Sequence, residues 1–325
     1  MKVATYNIEN LDFKGTELNP VFQERKPVLQ AMLRRLDSEL IFFQEIHGQE
    51  YTDEGGTEQR DLLALKDLLE DGPYENYFLA STKTSENKVY DKRNLVILSK
   101  YPITEVNQYR NDKIEKLGYR KVTAEPAEEV KDVSWERPIL HVKIDHPELG
   151  ELHLINLHLK SRLASNVSGQ KDGYKWNSAA GWAEGYFLSS IKRVGQAIET
   201  RILLDEIFEQ EADAKIIVCG DFNAEPDQVP VEAIIGSVEN TSNPSLRSKV
   251  MIPCSNGIPS SIQYSHLHHG HKNLLDHMLI SQSLVPYFQS ASIFNENLHD
   301  ESLPFASDQK FPESDHAAFV STFKI

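Results

Sequence analysis

Short, mainly apolar runs that stop on a carboxylate, an amide or an imidazole recur along this chain, and nothing else limits its fold as tightly. Lys2–Asn7 leads into Glu9, and Leu40-Ile41-Phe42-Phe43 leads into Gln44-Glu45. Leu154-Ile155-Asn156-Leu157 ends on His158, and Ile216-Ile217-Val218-Cys219-Gly220 ends on Asp221, with Asn223 next but one. Leu274-Leu275 leads into Asp276, and Asp315-His316 precedes Ala317–Phe323. Apolar runs of this length without polar alternation are strands covered on both faces. Further strands are expected over Leu95–Ser99, Ile139–Ile144 and Glu151–Leu159. Helical patterns lie between them. Asn19-Pro20 reads as a cap and first-turn proline for a helix with Val28, Leu29, Met32, Leu33 and Leu36 on one stripe. A second amphipathic stretch carries Leu62, Leu65 and Leu69. A long one covers Leu188–Phe208, with Ile191, Val194, Ile198 and Ile202 expected on its inner face. Two sheets packed face to face, with helices on both outer faces, accommodate this alternation in an α/β fold.

The 325 residues contain no linker-like stretch, so a single domain over 1–325 is expected, with an insertion near 160–190. No apolar run approaches the ~18 residues of a spanning helix. The start, Met1-Lys2-Val3-Ala4-Thr5-Tyr6, alternates like a strand and lacks the apolar segment of a signal peptide. A cytoplasmic location without stable membrane association is therefore expected. A net charge of −15 excludes a general DNA-coating protein but not an enzyme with a local basic groove. Two cysteines make no disulfide framework, and Cys219, inside an apolar run, reads as a buried, inert thiol.

One polar strand end means little, but six that carry Asp, Glu, Asn or His suggest a shared site. Carboxylates and amide oxygens suit hard divalent cations, and imidazole suits proton transfer near neutral pH. That set fits metal-assisted hydrolysis of a phosphate ester. Thr5-Tyr6-Asn7-Ile8-Glu9-Asn10, Gln44-Glu45, Gly220-Asp221-Phe222-Asn223-Ala224-Glu225-Pro226, Leu275-Asp276-His277-Met278-Leu279-Ile280-Ser281 and Ser314-Asp315-His316 occur in that order. Together they resemble the endonuclease/exonuclease/phosphatase superfamily, in its bacterial nuclease-like branch. The resemblance implies a four-layer α/β/β/α sandwich of two mixed sheets, as in deoxyribonuclease I. It also implies Mg²⁺, with Mn²⁺ as a substitute, held by Glu45 with Asn7 and Asp315, and by Glu9 through water. Asp276 and His316 match a carboxylate–imidazole pair, and Asp221 and Asn223 match the pair that positions the attacking water. Either His316 or Asp221 is then the base. His158 matches a histidine that contacts the scissile phosphate.

The substrate is less legible. Lys160-Ser161-Arg162 follows His158, and Lys160 could face a phosphate oxygen. Residues 160–193 carry Lys160, Arg162, Lys171, Lys175, Lys192 and Arg193 against Asp172 and Glu184, interleaved with Tyr174, Trp176, Trp182, Tyr186 and Phe187. Cations among aromatic rings suit base stacking along a nucleic-acid backbone, a smaller phosphate ester, or plain inward packing. Ser165–Ser168 and Ser178–Gly181 read as loop. A second basic stretch runs from Arg110 to Lys121, and Arg93 precedes another apolar run. His266-Leu267-His268-His269-Gly270-His271 is read as a rim loop beside Asp276 with substrate contact, in preference to a second metal site. The expected function is a Mg²⁺-dependent phosphodiester hydrolase acting on DNA or RNA. A phospholipid headgroup, inositol phosphate or other small ester is the alternative substrate, and an inactive binding scaffold is the remote third reading.

Overall fold

The computed structural model describes residues 1–17, 19–239 and 241–325. In chain order the principal elements are β1 (Lys2–Leu11), α1 (Phe22–Leu36), β2 (Leu40–Ile46), α2 (Leu63–Leu69), β3 (Phe78–Ser81), β4 (Asn94–Ser99) and β5 (Ile103–Tyr109). They continue with β6 (Ile139–His146), β7 (Gly150–His158), α3 (Ala179–Gln210), β8 (Ile216–Asp221), α4 (Val229–Ile235), β9 (Ile252–Pro253), β10 (Asp276–Ile280), β11 (Phe288–Ile293) and β12 (Phe319–Phe323). One six-stranded sheet has the order β11-β12-β1-β2-β4-β3, and the other β9-β10-β8-β7-β6-β5. Each has one parallel pair at its centre, β1 with β2 and β7 with β8, and antiparallel neighbours elsewhere. Parallel neighbours need a crossover, and α1 and α3 supply it.

Period-2 alternation sorts the apolar residues into layers. Val3, Leu40, Phe42 and Ile97 meet Leu140, Leu154, Ile217 and Met278 between the sheets. Tyr6, Ile41, Phe43 and Val96 turn outward under Leu29, Leu33, Leu65 and Leu68 of α1 and α2. On the other side Ile155, Leu157, Ile216 and Val218 face Leu203, Leu204, Ile207 and Val231 of α3 and α4. The result is the expected α/β/β/α sandwich. Cys219 is fully buried and its thiol is pushed well up by burial, as expected of an inert packing group.

The helices depart from expectation in detail. α1 starts at Phe22, with Val21 as its cap and no side-chain capping bond, so Asn19-Pro20 lies outside it. Val28 is exposed, and the buried stripe is Phe22, Arg25, Leu29, Leu33 and Leu36. α3 begins nine residues before the expected Leu188, because the Ser178 side chain accepts a bond from the Gly181 amide; 178–181 is a capped helix start, not a loop. Its inner face is also different: Ile198 is exposed, and Ile191, Val194 and Ile202 are only half-buried. Glu184, Arg193, Gln196 and Glu199 are buried instead.

The reason is backbone satisfaction. Glu199 accepts from the amides of Asn111, Asp112 and Lys113 at 3.2, 2.8 and 3.1 Å and from the Trp135 indole. Glu184 takes Tyr119 Oη at 2.8 Å and the amides of Val122 and Thr123. A loop laid on a helix must find acceptors for its N–H groups, and two carboxylates satisfy it better than apolar side chains. Pattern reading scores such a face as solvent, so it missed it.

Candidate active site

Strand register brings the polar ends together. Asn7 lies opposite Gln44 across β1 and β2, His158 opposite Asp221 across β7 and β8, and Asp221 opposite Asp276 across β8 and β10. Below them a polar bridge joins the sheets: the Gln44 amide donates to Asn156 Oδ1 at 2.8 Å, and Asn156 Nδ2 donates to the carbonyls of Phe43 and Val96. The backbone at the site is unusual. Glu9, Asn10, Glu45, Arg93 and Asn223 all have positive φ, between 47° and 64°. A non-glycine residue there costs about 1–3 kcal/mol and marks places the surroundings hold by force. Gly220, before Asp221, is obligatory: its φ is 141°, and a Cβ would stand 1.9 Å from the Leu157 carbonyl oxygen.

Asp221 is the hub. Its Oδ2 accepts from Asn7 Nδ2 and Asn223 Nδ2, each at 3.1 Å, while its Oδ1 accepts from the Asn223 amide at 2.9 Å. Oδ2 also lies 3.3 Å from His158 Nε2 and 3.9 Å from His316 Nε2. The other nitrogen of His316 is 2.7 Å from Asp276 Oδ2. Glu45 stands on the β2 side, accepting from the Asn10 amide at 3.1 Å, with Oε1 3.6 Å from His158 Nε2. Glu9 Oε2 accepts the Asp315 amide at 3.1 Å, and the Glu9 amide donates to Asn7 Oδ1. The sequence-expected set Asn7, Glu9, Glu45, His158, Asp221, Asn223, Asp276, Asp315 and His316 therefore gathers in one place.

The electrostatics separate these groups. Burial raises Asp221 to about 6 and Asp315 to about 7, and burial beside Asp315 raises Glu9 well above the ordinary carboxylate range. Burial acts to lower the His316 pKa, but Asp276, Asp221 and Asp315 outweigh it and hold the imidazole well above its usual value. His158 goes the other way: burial, with Arg137 and Arg93 nearby, pushes it well down and keeps it neutral. Oδ1 of Asp276 and Oδ1 of Asp315 are buried without a hydrogen-bond partner among the described residues. Buried carboxylate oxygens without partners, among carboxyls that burial has already pushed toward protonation, are the environment a divalent cation satisfies. Two groups of side chains here could hold one: Asp221 with Asp276 and His316, and His266 with Asp315 and His316.

The candidate substrate residues are placed less uniformly. Lys160 is half-buried beside Glu136 at 3.8 Å and donates to Ser161 Oγ at 3.1 Å. Arg162 braces the loop after β8, 3.4 Å from the Asn223 carbonyl and from Glu225 Oε1. Arg93 is exposed, and its charge is felt at His158 and Lys160. Trp176 packs down on α3, where a Cβ at Gly185 would meet its ring at 3.0 Å. Tyr174, Trp182, Tyr186 and Phe187 are exposed, and of these Trp182 and Tyr186 stack on one another with centroids 5.4 Å apart. Arg193 is buried, donating to the carbonyls of Lys160 and Ser161. Two further arginines escaped the sequence reading. Arg25 donates to the carbonyls of Ile8, Glu9 and Pro312, and Arg137 to those of His158 and Leu159, so both hold site-bearing backbone from within. Arg25 sits on the apolar stripe of α1, and its i+4 spacing to Leu29 was the available signal.

No curated protein matches this sequence. Solved structures do match in fold. They include the 3′ phosphatase NExo from Neisseria bound to a product DNA hairpin, at 13% identity and TM-score 0.56 over 100% of both chains. Truncated TDP2 from Caenorhabditis elegans matches at 16% identity and TM-score 0.56, over 100% of this chain and 97% of that one. An AP endonuclease from Archaeoglobus fulgidus matches at 12% identity and TM-score 0.54, over 100% of both. Among the described residues no helix is long and apolar enough to cross a membrane. The sequence signature of the endonuclease/exonuclease/phosphatase family covers residues 136–304, just over half of the 325 residues, and includes His158, Asp221, Asn223 and Asp276. With Asn7 and His316 meeting Asp221, and Glu45 meeting His158, the chain belongs to that family.

Proposed function

We propose that this protein is a divalent-cation-dependent phosphodiester hydrolase acting on nucleic acid. The observation that carries the reading is the geometry of two adjacent groups: Asp221 Oδ2 lies 3.9 Å from His316 Nε2, and the other nitrogen of His316 is 2.7 Å from Asp276, which holds the imidazole well above its ordinary pKa, while Asp221 is raised only to about 6. A carboxyl that ionises near neutral pH beside an imidazole held as its cation divides base and acid roles. Asp221 accepts the proton of a water that attacks phosphorus in line, oriented with help from Asn223. His316, as imidazolium, donates a hydrogen bond from Nε2 to a phosphoryl oxygen that gains charge as the P–O ester bond breaks. The leaving oxygen takes a proton from solvent. Neutral His158, which lies between Asp221 and Glu45, would contact the scissile phosphate. Glu45, Asn7, Asp315 and Glu9 would hold Mg²⁺ or Mn²⁺, which when bound offsets charge on the phosphate.

Nucleic acid is favoured over a small ester by the exposed Trp182–Tyr186 pair on α3, with Lys171 near the rings of Tyr174 and Trp176. NExo, described with a product DNA hairpin, and an AP endonuclease share the fold, which agrees with that choice. The test is turnover of single- and double-stranded DNA and RNA against phospholipid, inositol phosphate and an activated diester, with and without Mg²⁺ or Mn²⁺. Metal-dependent cleavage of a polynucleotide, lost in Glu45→Gln and His316→Ala, is expected. Full activity in those variants overturns the mechanism, and faster turnover of a small ester overturns the substrate.

A further inference from the structure

The histidine-rich segment reaches deeper than a rim. His266–His268 and His271–Asn273 form a short hairpin, and His266 bridges backbone-to-backbone with His316. The two imidazoles approach with centroids 5.1 Å apart. One ligand atom each from His266, His316 and Asp315 lie within 4.8 Å of one another, and all three residues are at least nine-tenths buried. What the remaining atoms do decides which ones are free. Glu301 Oε2 sits 3.1 Å from His266 Nε2, so Nδ1 is left, buried and without a partner among the described residues. Asp276 occupies His316 Nδ1, leaving Nε2. Asp315 Oδ1 likewise has no partner there.

Each imidazole is therefore backed by its own carboxylate, the arrangement that fixes tautomer and ring orientation in histidine metal sites. The Glu301 loop is itself clamped to the hairpin. The Glu301 amide donates to the Leu267 carbonyl at 2.9 Å, and Asp300 accepts the amides of His269 and Gly270. We propose that His266 Nδ1, His316 Nε2 and Asp315 Oδ1 form a His₂Asp site for a borderline divalent cation such as Zn²⁺, with the remaining positions open to water. Two nitrogens and one oxygen select such an ion over Mg²⁺, which prefers oxygen. Ligand atoms of a tetrahedral zinc site lie about 3.3 Å apart, so the rings need to close by roughly 1 Å or a little more. Occupancy takes His316 Nε2 out of reach of a phosphate, so cation and substrate chemistry exclude each other at that nitrogen.

This goes beyond the hydrolase reading and does not depend on it, because the test reads binding. Metal-free protein in excess Mg²⁺ is titrated with Zn²⁺ by calorimetry, and with Co²⁺ by its visible absorption. One equivalent is expected, with a cobalt spectrum of nitrogen-containing, low-coordinate type, retained in Glu45→Gln. His266→Ala should weaken binding at least 100-fold, and Glu301→Gln about 10- to 100-fold. His268→Ala, which loses a second Glu301 partner at 2.8 Å but no ligand, should leave binding intact. Wild-type affinity in both His266→Ala and Glu301→Gln, or equal loss in His268→Ala, overturns the proposal. If His266→Ala fails to fold, Glu301→Gln and His268→Ala still decide it.

Discussion

Arg25 offers the sharpest test of how the site is held. It is 2% exposed, and its guanidinium donates to the carbonyls of Glu9 at 2.7 Å, Ile8 at 2.8 Å and Pro312 at 3.2 Å. It thereby ties the positive-φ segment carrying Glu9 and Asn10 to the loop leading to Asp315. Arg25→Met keeps the length of the apolar stem but strands two buried acceptors, the carbonyls of Ile8 and Glu9, and a half-buried one at Pro312. Each stranded group costs about 1–3 kcal/mol, and the removed guanidinium no longer has to be desolvated, so a net loss of ~3–5 kcal/mol is expected. At about 2.1 cal/mol/K of unfolding entropy per residue, this chain loses ~4–7 °C in Tm. Calorimetry measures that loss. Activity should fall too, at least ~10-fold, together with a weaker apparent affinity for Mg²⁺, because Glu9 and Asp315 lose their register. Arg25→Lys should restore only part of both, since an ammonium cannot reach all three carbonyls with a planar fork. A Tm within 1 °C of wild type in Arg25→Met, with unchanged turnover, refutes the argument.

Three other outcomes follow from the same geometry. Asp276→Asn removes the charge that holds His316 protonated, so turnover should drop about 10²- to 10⁴-fold and the alkaline limb of its pH profile should move to lower pH; an unmoved limb counts against the pairing. In metal-free protein the raised carboxyls of Asp221, Asp315 and Glu9 contribute stability that is present below their unfolded pKa values. That stability is lost as pH rises through about 6 and 7 for the first two, and raised His316 acts in the same direction. Protons compete with cation for these oxygens, so the Tm gain on adding Mg²⁺ should be larger at about pH 8 than at about pH 5.5; equal gains contradict the assignment. Trp182→Ala with Tyr186→Ala should weaken single-stranded nucleic-acid binding by about 1–3 kcal/mol per lost stacking partner and leave hydrolysis of a small activated diester unchanged, as separate binding and turnover assays would show.

The parts of this site that were legible share one property: they follow apolar runs that are unmistakable in the sequence. Asn7, Glu45, His158, Asp221 and Asp276 each come just after such residues, although in the structure Asn7 lies within β1 and Asp276 opens β10, while Glu45, His158 and Asp221 stand at or next to the end of a strand. Arg25, Arg137 and Glu199 were not legible in the same way. A buried charge inside a helix or before a strand looks in sequence like a solvent-facing residue, and only its partners distinguish the two. The face of α3 failed for that reason: its apolar spacing pointed to Ile198, while the loop over 111–135 needed acceptors and turned Glu184 and Glu199 inward. His266 was placed at the rim because a glycine and several polar residues mark a loop, and nothing local shows that Glu301 will orient its ring.

The amino-acid sequence by itself determined the layers, since residues that alternate between two apolar faces can be covered only by a second sheet on one side and helices on the other. It also determined which residue types are available for chemistry, through motifs whose order spans the chain. Only the tertiary structure decided which atoms are free. Contacts between distant segments consume one nitrogen each of His316 and His266 and one oxygen of Asp276, leaving His266 Nδ1 and Asp315 Oδ1 buried without a partner among the described residues and Nε2 of His316 as its remaining nitrogen. Chain spacing carries periodicity, but satisfaction of buried polar atoms depends on contacts between residues tens to hundreds of positions apart, as between His316 and Asp276 or Asn7 and Asp221.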